Sequence, residues 1–348
     1  MPSLIPRTEA NLIGFRLIGV LAAGAVMLGT ASAALAWGAT GHRMIGEAAI
    51  LSLPADMPAF LHATGVAEAV GEIAREPDRA RGAGEPHDHD LDPGHFVDVD
   101  DQGKVLGGPA LAALPADRAA YDTALRAVGA DQYRAGYLPY TIEDGFEQLV
   151  KDFAYWRVET AALKTAAPAD RGWIAADRAT RELLVIRDIG YWAHFVGDAS
   201  QPLHVSVHYN GWGAYPNPNG YSQDKLHTPF EGPYVQQHLT LASVQAAMPP
   251  PASCAPIAAC TAAYLGRTAS YVQPLYALWG AGEFARATPR ATAFATERVA
   301  AGAGALRDMI VAAWAASGDA TVGYKPDITV KAAEAGAPVP LAALYGDD

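Results

Sequence analysis

Apolar residues recur at helical spacing over most of the chain. After Thr141, the residues Phe146, Leu149, Val150, Phe153 and Trp156 return every three or four positions, which builds one face of a helix. Thr141 and Asp144 read as a capping pair at its start. Ile186, Ile189, Ala193 and Val196 repeat the pattern between about 177 and 200. Pro289 opens a third helix carrying Phe294, Ala301, Ala305, Leu306, Met309 and Ile310, and Gly318 closes it. Shorter helical patterns cover 44–51 and 117–128. No series of alternating strands stands out, and no repeat of fixed period is present. The run 210–220 (NGWGAYPNPNG) predicts a loop. Residues 321–348, with Pro326, Pro338 and Pro340, predict a tail laid over the surface. The pattern as a whole predicts one all-α domain over 37–320, with no linker dividing it.

The beginning of the chain follows a different logic. Arg7 and Arg16 precede an apolar run over 17–28 that is too short to span a bilayer. Small residues follow and end in Ala34-Leu35-Ala36, the form of a signal-peptide cleavage site. Residues 1–36 read as a signal peptide, with an N-terminal membrane anchor as the alternative. The expectation is a secreted or periplasmic protein whose mature chain starts at Trp37 and has no transmembrane segment. In an oxidising compartment Cys254 and Cys260, with five residues between them, predict one small-loop disulfide; a pair of unreacted thiols is the alternative.

Composition narrows the function. Of 348 residues, 51% are hydrophobic, which excludes wholesale disorder. Lys and Arg number 25 against 37 Asp and Glu, a formal charge of −12. Such a chain has no basic footprint for long duplex nucleic acid, so any phosphate-handling site must create its own local positive charge. Two cysteines exclude a cysteine-rich metal site.

The histidines fall in short clusters with carboxylates. In H194-F-V-G-D198-A-S-Q-P-L-H204, His194 and Asp198 project from one helix face, and Pro202 can turn His204 toward the same pocket. Arg187, two turns before His194, marks the solvated end of that helix. H227-T-P-F-E231 again spaces imidazole and carboxylate by four. D78-R-A-R81 and G94-H95-F-V-D98 add two more acids and another imidazole. Each segment alone reads as readily as a surface ion pair or hydrogen bond. Together they supply the nitrogen and oxygen ligands that suit zinc without thiolate. Trp37-G-A-T-G-His42 begins where the signal peptide ends. A free α-amino group titrates near pH 8 and, with its own carbonyl oxygen, can chelate a metal that His42 also reaches. The bland reading is a buried tryptophan opening the first helix. His87 and His89 read as a solvated acidic loop or a peripheral metal site, and His62 and His238 have no evident partners.

In order, W37-G-x-x-G-H42, D78-x-x-R81, H95-F-V-D98, H194-F-V-G-D198-x-x-Q201-P-L-H204 and H227-x-x-x-E231 resemble the trinuclear-zinc nuclease superfamily. That superfamily includes the fungal and plant single-strand-specific nucleases, which are also 3′-nucleotidases, and the bacterial zinc-dependent phospholipases C. The resemblance spans roughly 37–235 and leaves out 107–141 and the Pro-rich tail. It implies three zinc ions. Asp78, His95, His194 and Asp198 would hold one. Trp37 (amine and carbonyl), His42 and a bridging Asp198 would hold the second, and His204, His227 and Glu231 the third. It further implies a metal-bridging hydroxide that attacks phosphodiesters of single-stranded DNA or RNA and 3′-phosphomonoesters of nucleotides. Arg81 would clamp the developing charge and Asp98 would orient substrate or a ligand; either alone reads equally as half of a surface ion pair. One departure bears on substrate: Glu231 matches the phospholipase branch, whereas the Trp37–His42 spacing matches the nucleases.

Aromatic residues crowd the segment after His204. Tyr209, Trp212 and Tyr215, with Tyr221, can stack on an unpaired base, enclose a choline head group, or simply pack a loop. The sequence therefore points to a zinc-dependent nuclease and 3′-nucleotidase. A phospholipase C is the first alternative and a non-catalytic zinc-binding exported protein the second.

Overall fold

Six helices build the frame that carries the site: α1 (Gly38–Leu51), α2 (Val66–Ile73), α3 (Leu138–Thr165), α4 (Pro168–Asp198), α5 (Ile257–Ala269) and α6 (Pro289–Ser317). The computed structural model describes residues 37–325 and 327–346, which fall within one compact unit. The expected signal peptide, 1–36, lies outside the described residues. Helices α3 and α4 form a long hairpin, α6 packs against α1, α3 and α4, and α1 packs against α2 and α4. The only strands among the described residues are the pair Thr321–Val322 and Ile328–Thr329, so the all-α reading holds.

The three longest helices each carry proline in the first turn: Pro139, Pro168 and Pro289. There the missing N–H costs nothing and the fixed φ is already helical. This shifts two starts from where the apolar pattern placed them. Helix α3 begins at Leu138, and Thr141 does not cap it; the Thr141 hydroxyl has no hydrogen-bond partner. Helix α4 begins at Pro168, well before 177. Its first half is largely solvent-facing, with Trp173 and Leu183 exposed, so it leaves no buried periodicity to read. Arg187 consequently sits within α4 rather than at its end, bonded to Asp188 at 2.7 Å and lying over the Tyr191 ring. Helix α6 matches its expected span, with Thr288 accepting from the Ala291 amide.

Helix α6 is long and apolar enough by composition to cross a membrane. Its Ala295, Val299, Ala303 and Ile310 are nevertheless fully buried in the protein's own core. Cys254 and Cys260 form a disulfide at the entry to α5. The C-terminal segment is more than a draped tail. Val322, Val330, Ala333 and Leu344 close a small apolar cluster with Ala154, Val158 and Ala161 of α3.

Candidate metal centre

The last turn of α4 anchors the site. His194 and Asp198 are both fully buried, and His194 Nε2 lies 3.4 Å from Asp198 Oδ2. His194 Nδ1 donates to the Ala74 carbonyl at 2.8 Å, which leaves Nε2 with a lone pair aimed inward. His95 comes from the 3-10 turn Asp92–His95, placing Nδ1 2.9 Å from His194 Nε2 and 3.1 Å from Asp198 Oδ2. Asp78, on the short helix Glu76–Ala80, sets Oδ1 3.8 Å from His194 Nε2. Asp78, His95 and His194 thus form one group.

Helix α1 supplies a second. His42 is fully buried, its ring stacked on that of His194 with centroids 3.8 Å apart, and its Nε2 lies 3.4 Å from Asp198 Oδ1. The approach depends on Gly197: a Cβ there would stand 3.0 Å from Ile45 and 3.1 Å from His42 Nδ1. Trp37 is locked beside the same turn, its indole N–H donating to Gly197 O at 2.9 Å and Ser200 Oγ at 2.8 Å. Gly41 gives that indole room, since a Cβ would stand 2.7 Å from Trp37 Cβ. The Trp37 carbonyl already accepts the Gly41 amide, leaving its second lone pair for any further partner.

The third group is His204, His227 and Glu231. Gln201 caps the 3-10 turn Pro202–His204 by accepting from the Leu203 amide. His204 Nδ1 then donates to His95 O at 2.7 Å, again leaving Nε2 directed inward. His227 and Glu231 lie on a helical turn that widens into a π-turn over Phe230–Tyr234, a distortion frequent at functional sites. Glu231 Oε2 lies 2.8 Å from His227 Nε2 and 3.7 Å from His204 Nε2, and Gln201 donates to it at 3.0 Å.

Within each of these three groups the ligand atoms lie within 4.8 Å of one another. Burial pulls His95 and His194 well below the usual histidine range, with Arg81 adding to it at His95 and the crowding of imidazoles adding to it at both, which favours the neutral rings that can ligate. Burial also lowers His204. Burial pushes Asp198 well above the usual carboxylate range, with Asp78 and Glu231 adding to it. Asp78 rises to about 7 through burial, with Arg81 opposing. Burial would raise Glu231 too, but His227 and His204 outweigh it and hold it low. Asp198 Oδ1, Glu231 Oε1 and His204 Nε2 are buried without hydrogen-bond partners. Two buried carboxylates, Asp198 and Glu231, with the largely buried Asp78 beside them, are costly to hold together unless cations compensate them. These residues therefore fit metal ions, and a nitrogen and oxygen donor set without sulfur suits zinc among others.

A cavity of about 310 Å³ opens over the centre, lined by His95, His204, His227, Arg81, Asp98 and Tyr209, with Arg134 beside them. Arg81 lies 3.6 Å from Asp78 and 3.5 Å from Asp92. Asp98 is pushed up to about 7 by burial, with Arg134 opposing. Arg134 was not singled out by the sequence. It sits in the short helix Gln132–Ala135, capped by Asp131, within the 107–141 stretch that carries no motif.

The aromatic loop divides. Tyr209 and Tyr215 are exposed, at 54% and 40%. Trp212 is 2% exposed and stacked on His208 at 3.6 Å, and it also packs against Tyr221 and Tyr276. Its indole N–H donates to Pro216 O. Of the readings open to the loop, these contacts favour packing for Trp212: its ring is engaged by His208, Tyr221 and Tyr276. His87 and His89 each bond the aspartate that follows, on the short helix His87–Leu91, and neither belongs to the three groups. His62 lies in a separate 3-10 turn, and His238 packs on Tyr234.

No protein-family model, curated protein or solved structure matches the chain. What the fold and site define is a mainly helical protein with three buried His/Asp/Glu groups able to hold metal ions.

Proposed function

We propose that this chain is an exported zinc-dependent phosphodiesterase of the single-strand-specific nuclease and 3′-nucleotidase type. The observation that carries the reading is Asp198. Its Oδ1 faces His42 while its Oδ2 faces His95 and His194, so one carboxylate serves two ligand groups. Asp78, His95, His194 and Asp198 would hold one ion. His42, Asp198 and the Trp37 amine would hold another, and His204, His227 and Glu231 a third. Zinc, when bound, supplies Lewis acidity toward a phosphoryl oxygen and lowers the pKa of water toward neutrality.

The chain's own residues account for the rest. Arg81, braced by Asp78 and Asp92 at the cavity edge, offers a guanidinium to the phosphoryl charge that builds up during hydrolysis. Asp98, on the same wall, orients the substrate. Tyr209, exposed at the mouth, offers a face on which an unpaired base can stack. A net charge of −12 supplies no basic footprint for duplex phosphates, which favours unpaired strands. The Cys254–Cys260 disulfide agrees with an extracytoplasmic location.

A second reading, a zinc-dependent phospholipase C, is favoured by Glu231, whose buried carboxylate stands at the departure from the nuclease pattern. Purified zinc-loaded protein assayed on single-stranded DNA, RNA, a 3′-mononucleotide and phosphatidylcholine separates the two. Cleavage of the nucleic acids and release of phosphate from the mononucleotide are expected. Turnover of the phospholipid alone would install the second reading, and no turnover of any substrate by fully loaded protein would leave a non-catalytic zinc-binding protein.

A further inference from the structure

Between the disulfide loop and α6 lies a second cavity, of about 610 Å³, a size typical of small-molecule sites. Its walls are mostly apolar: Ala259 and Ala263 of α5, Ala301, Ala305 and Met309 of α6, and the disulfide itself. One buried charge interrupts them. Arg298, on α6, lines the cavity and is only 8% exposed. Its guanidinium lies over the Tyr271 ring, with Cζ 3.4 Å from the centroid. Its Nε is buried without a hydrogen-bond partner, and Arg298 forms no ion pair with a carboxylate among the described residues. Burial draws its pKa below the ordinary arginine value.

The neighbouring charges do not answer Arg298. Asp308, the one acid lining the cavity, is already matched by Arg307 Nε at 2.8 Å and the Ala252 amide at 3.2 Å. Glu297 is adjacent in sequence but exposed, and it does not line the cavity. The other cation in the lining, Arg267, is exposed. A largely buried guanidinium that lines a cavity and has no carboxylate partner offers the fork of its terminal nitrogens to an oxyanion, and a single carboxylate matches a single buried positive charge. The alanine and methionine walls would take an apolar body.

We infer that this cavity is a binding site for a small amphipathic carboxylate, with its head group on Arg298 and its aliphatic chain along α5 and α6. The site shares no residue with the three ligand groups, so the inference does not depend on the metal reading.

Calorimetric titration of the zinc-loaded full chain with decanoate, decanol and decyl phosphate tests it. Decanoate should bind about tenfold or more tightly than decanol, the worth of a charge-assisted hydrogen bond. Arg298→Met should remove that preference. Ala301→Phe should block the apolar wall and abolish decanoate binding with the Arg298 charge intact, which keeps the test decisive if the first variant does not fold. Equal binding of decanoate and decanol overturns the inference. So does decanoate binding that survives in a folded variant, because the carboxylate is then held elsewhere, for instance at the metals. Decyl phosphate outcompeting decanoate by about tenfold or more overturns the carboxylate assignment.

Discussion

His42 Nε2 lies 3.4 Å from Asp198 Oδ1, joining α1 to the end of α4. The other Asp198 oxygen faces His95 and His194. One carboxylate therefore links ligands from α1, α4 and the 92–95 turn, and a cation bound there would cross-link all three.

Metal removal should consequently loosen the fold as well as the site. Elemental analysis of carefully prepared protein is expected to find about three zinc ions per chain, one per ligand group. Chelation should lower the melting temperature by on the order of 10 °C, given about 2.7 kcal/mol for each site held a hundredfold above its Kd. Less than one ion per chain together with an unchanged melt would refute the metal assignment.

Asp198 and Glu231 should differ in kind. Asp198→Asn weakens two groups at once, so it should cost about two ions and roughly 10³-fold or more in turnover of single-stranded DNA, about 4 kcal/mol. Glu231→Gln disturbs only the third group, should cost about one ion, and should be milder. Parallel metal analysis and rate measurement check this. Near-normal activity in Asp198→Asn would remove the basis of the proposed mechanism.

How much of this was legible in the sequence depends on the range of the interaction. His194 and Asp198 share a helix face, and i, i+4 spacing is visible in any sequence. His42, Asp78 and His95 reach the same point only through tertiary packing, so their meeting rested on resemblance until the structure placed them. Helix α6 was legible because both ends carry local signals and its core face is continuous. The start of α4 was not, because a solvent-facing half-helix has no apolar period. Arg134 escaped because nothing in its local sequence separates a cavity-lining arginine from a surface one. Trp212 stayed ambiguous for the opposite reason: an aromatic run after a ligand histidine looks the same whether its rings face substrate or each other.

That last distinction is testable. Trp212→Ala removes a ring packed against His208, Tyr221 and Tyr276 and should destabilise the protein by about 3–5 kcal/mol. Tyr209→Ala removes an exposed ring and should leave the melt unchanged. It should instead raise KM for single-stranded substrate by about tenfold, within the roughly 1–3 kcal/mol that one stacked base contributes. Thermal melts and steady-state kinetics on both variants decide it. A Trp212→Ala protein of normal stability but weakened substrate binding would restore the tryptophan as a base platform.

Glu159 of α3 should give the fold a pH dependence unrelated to the metals. It is fully buried, and neither carboxylate oxygen has a hydrogen-bond partner. Burial, with Asp177 of α4 adding to it and Arg181 and Arg178 opposing, pushes its pKa up to about 8 from an ordinary 4.5. Below pH 4.5 the group is protonated in both the folded and unfolded chain and costs nothing. As pH rises from there toward 8, the unfolded chain ionises first and releases its proton, so folding stability falls, and it levels off once the folded group ionises as well. The loss is on the order of 5 kcal/mol, at about 1.36 kcal/mol per pKa unit over the shift from 4.5 to about 8. Glu159→Gln keeps the shape and removes the titration. Asp177 lies about 30 Å along α4 from Asp198 at 1.5 Å per residue, so the substitution should leave the metal groups alone. Between about pH 5 and pH 8.5 the wild-type melting temperature should therefore fall relative to that of Glu159→Gln. Melting curves that stay parallel across that range would show that Glu159 is ionised in the folded protein, held by the arginines of α4.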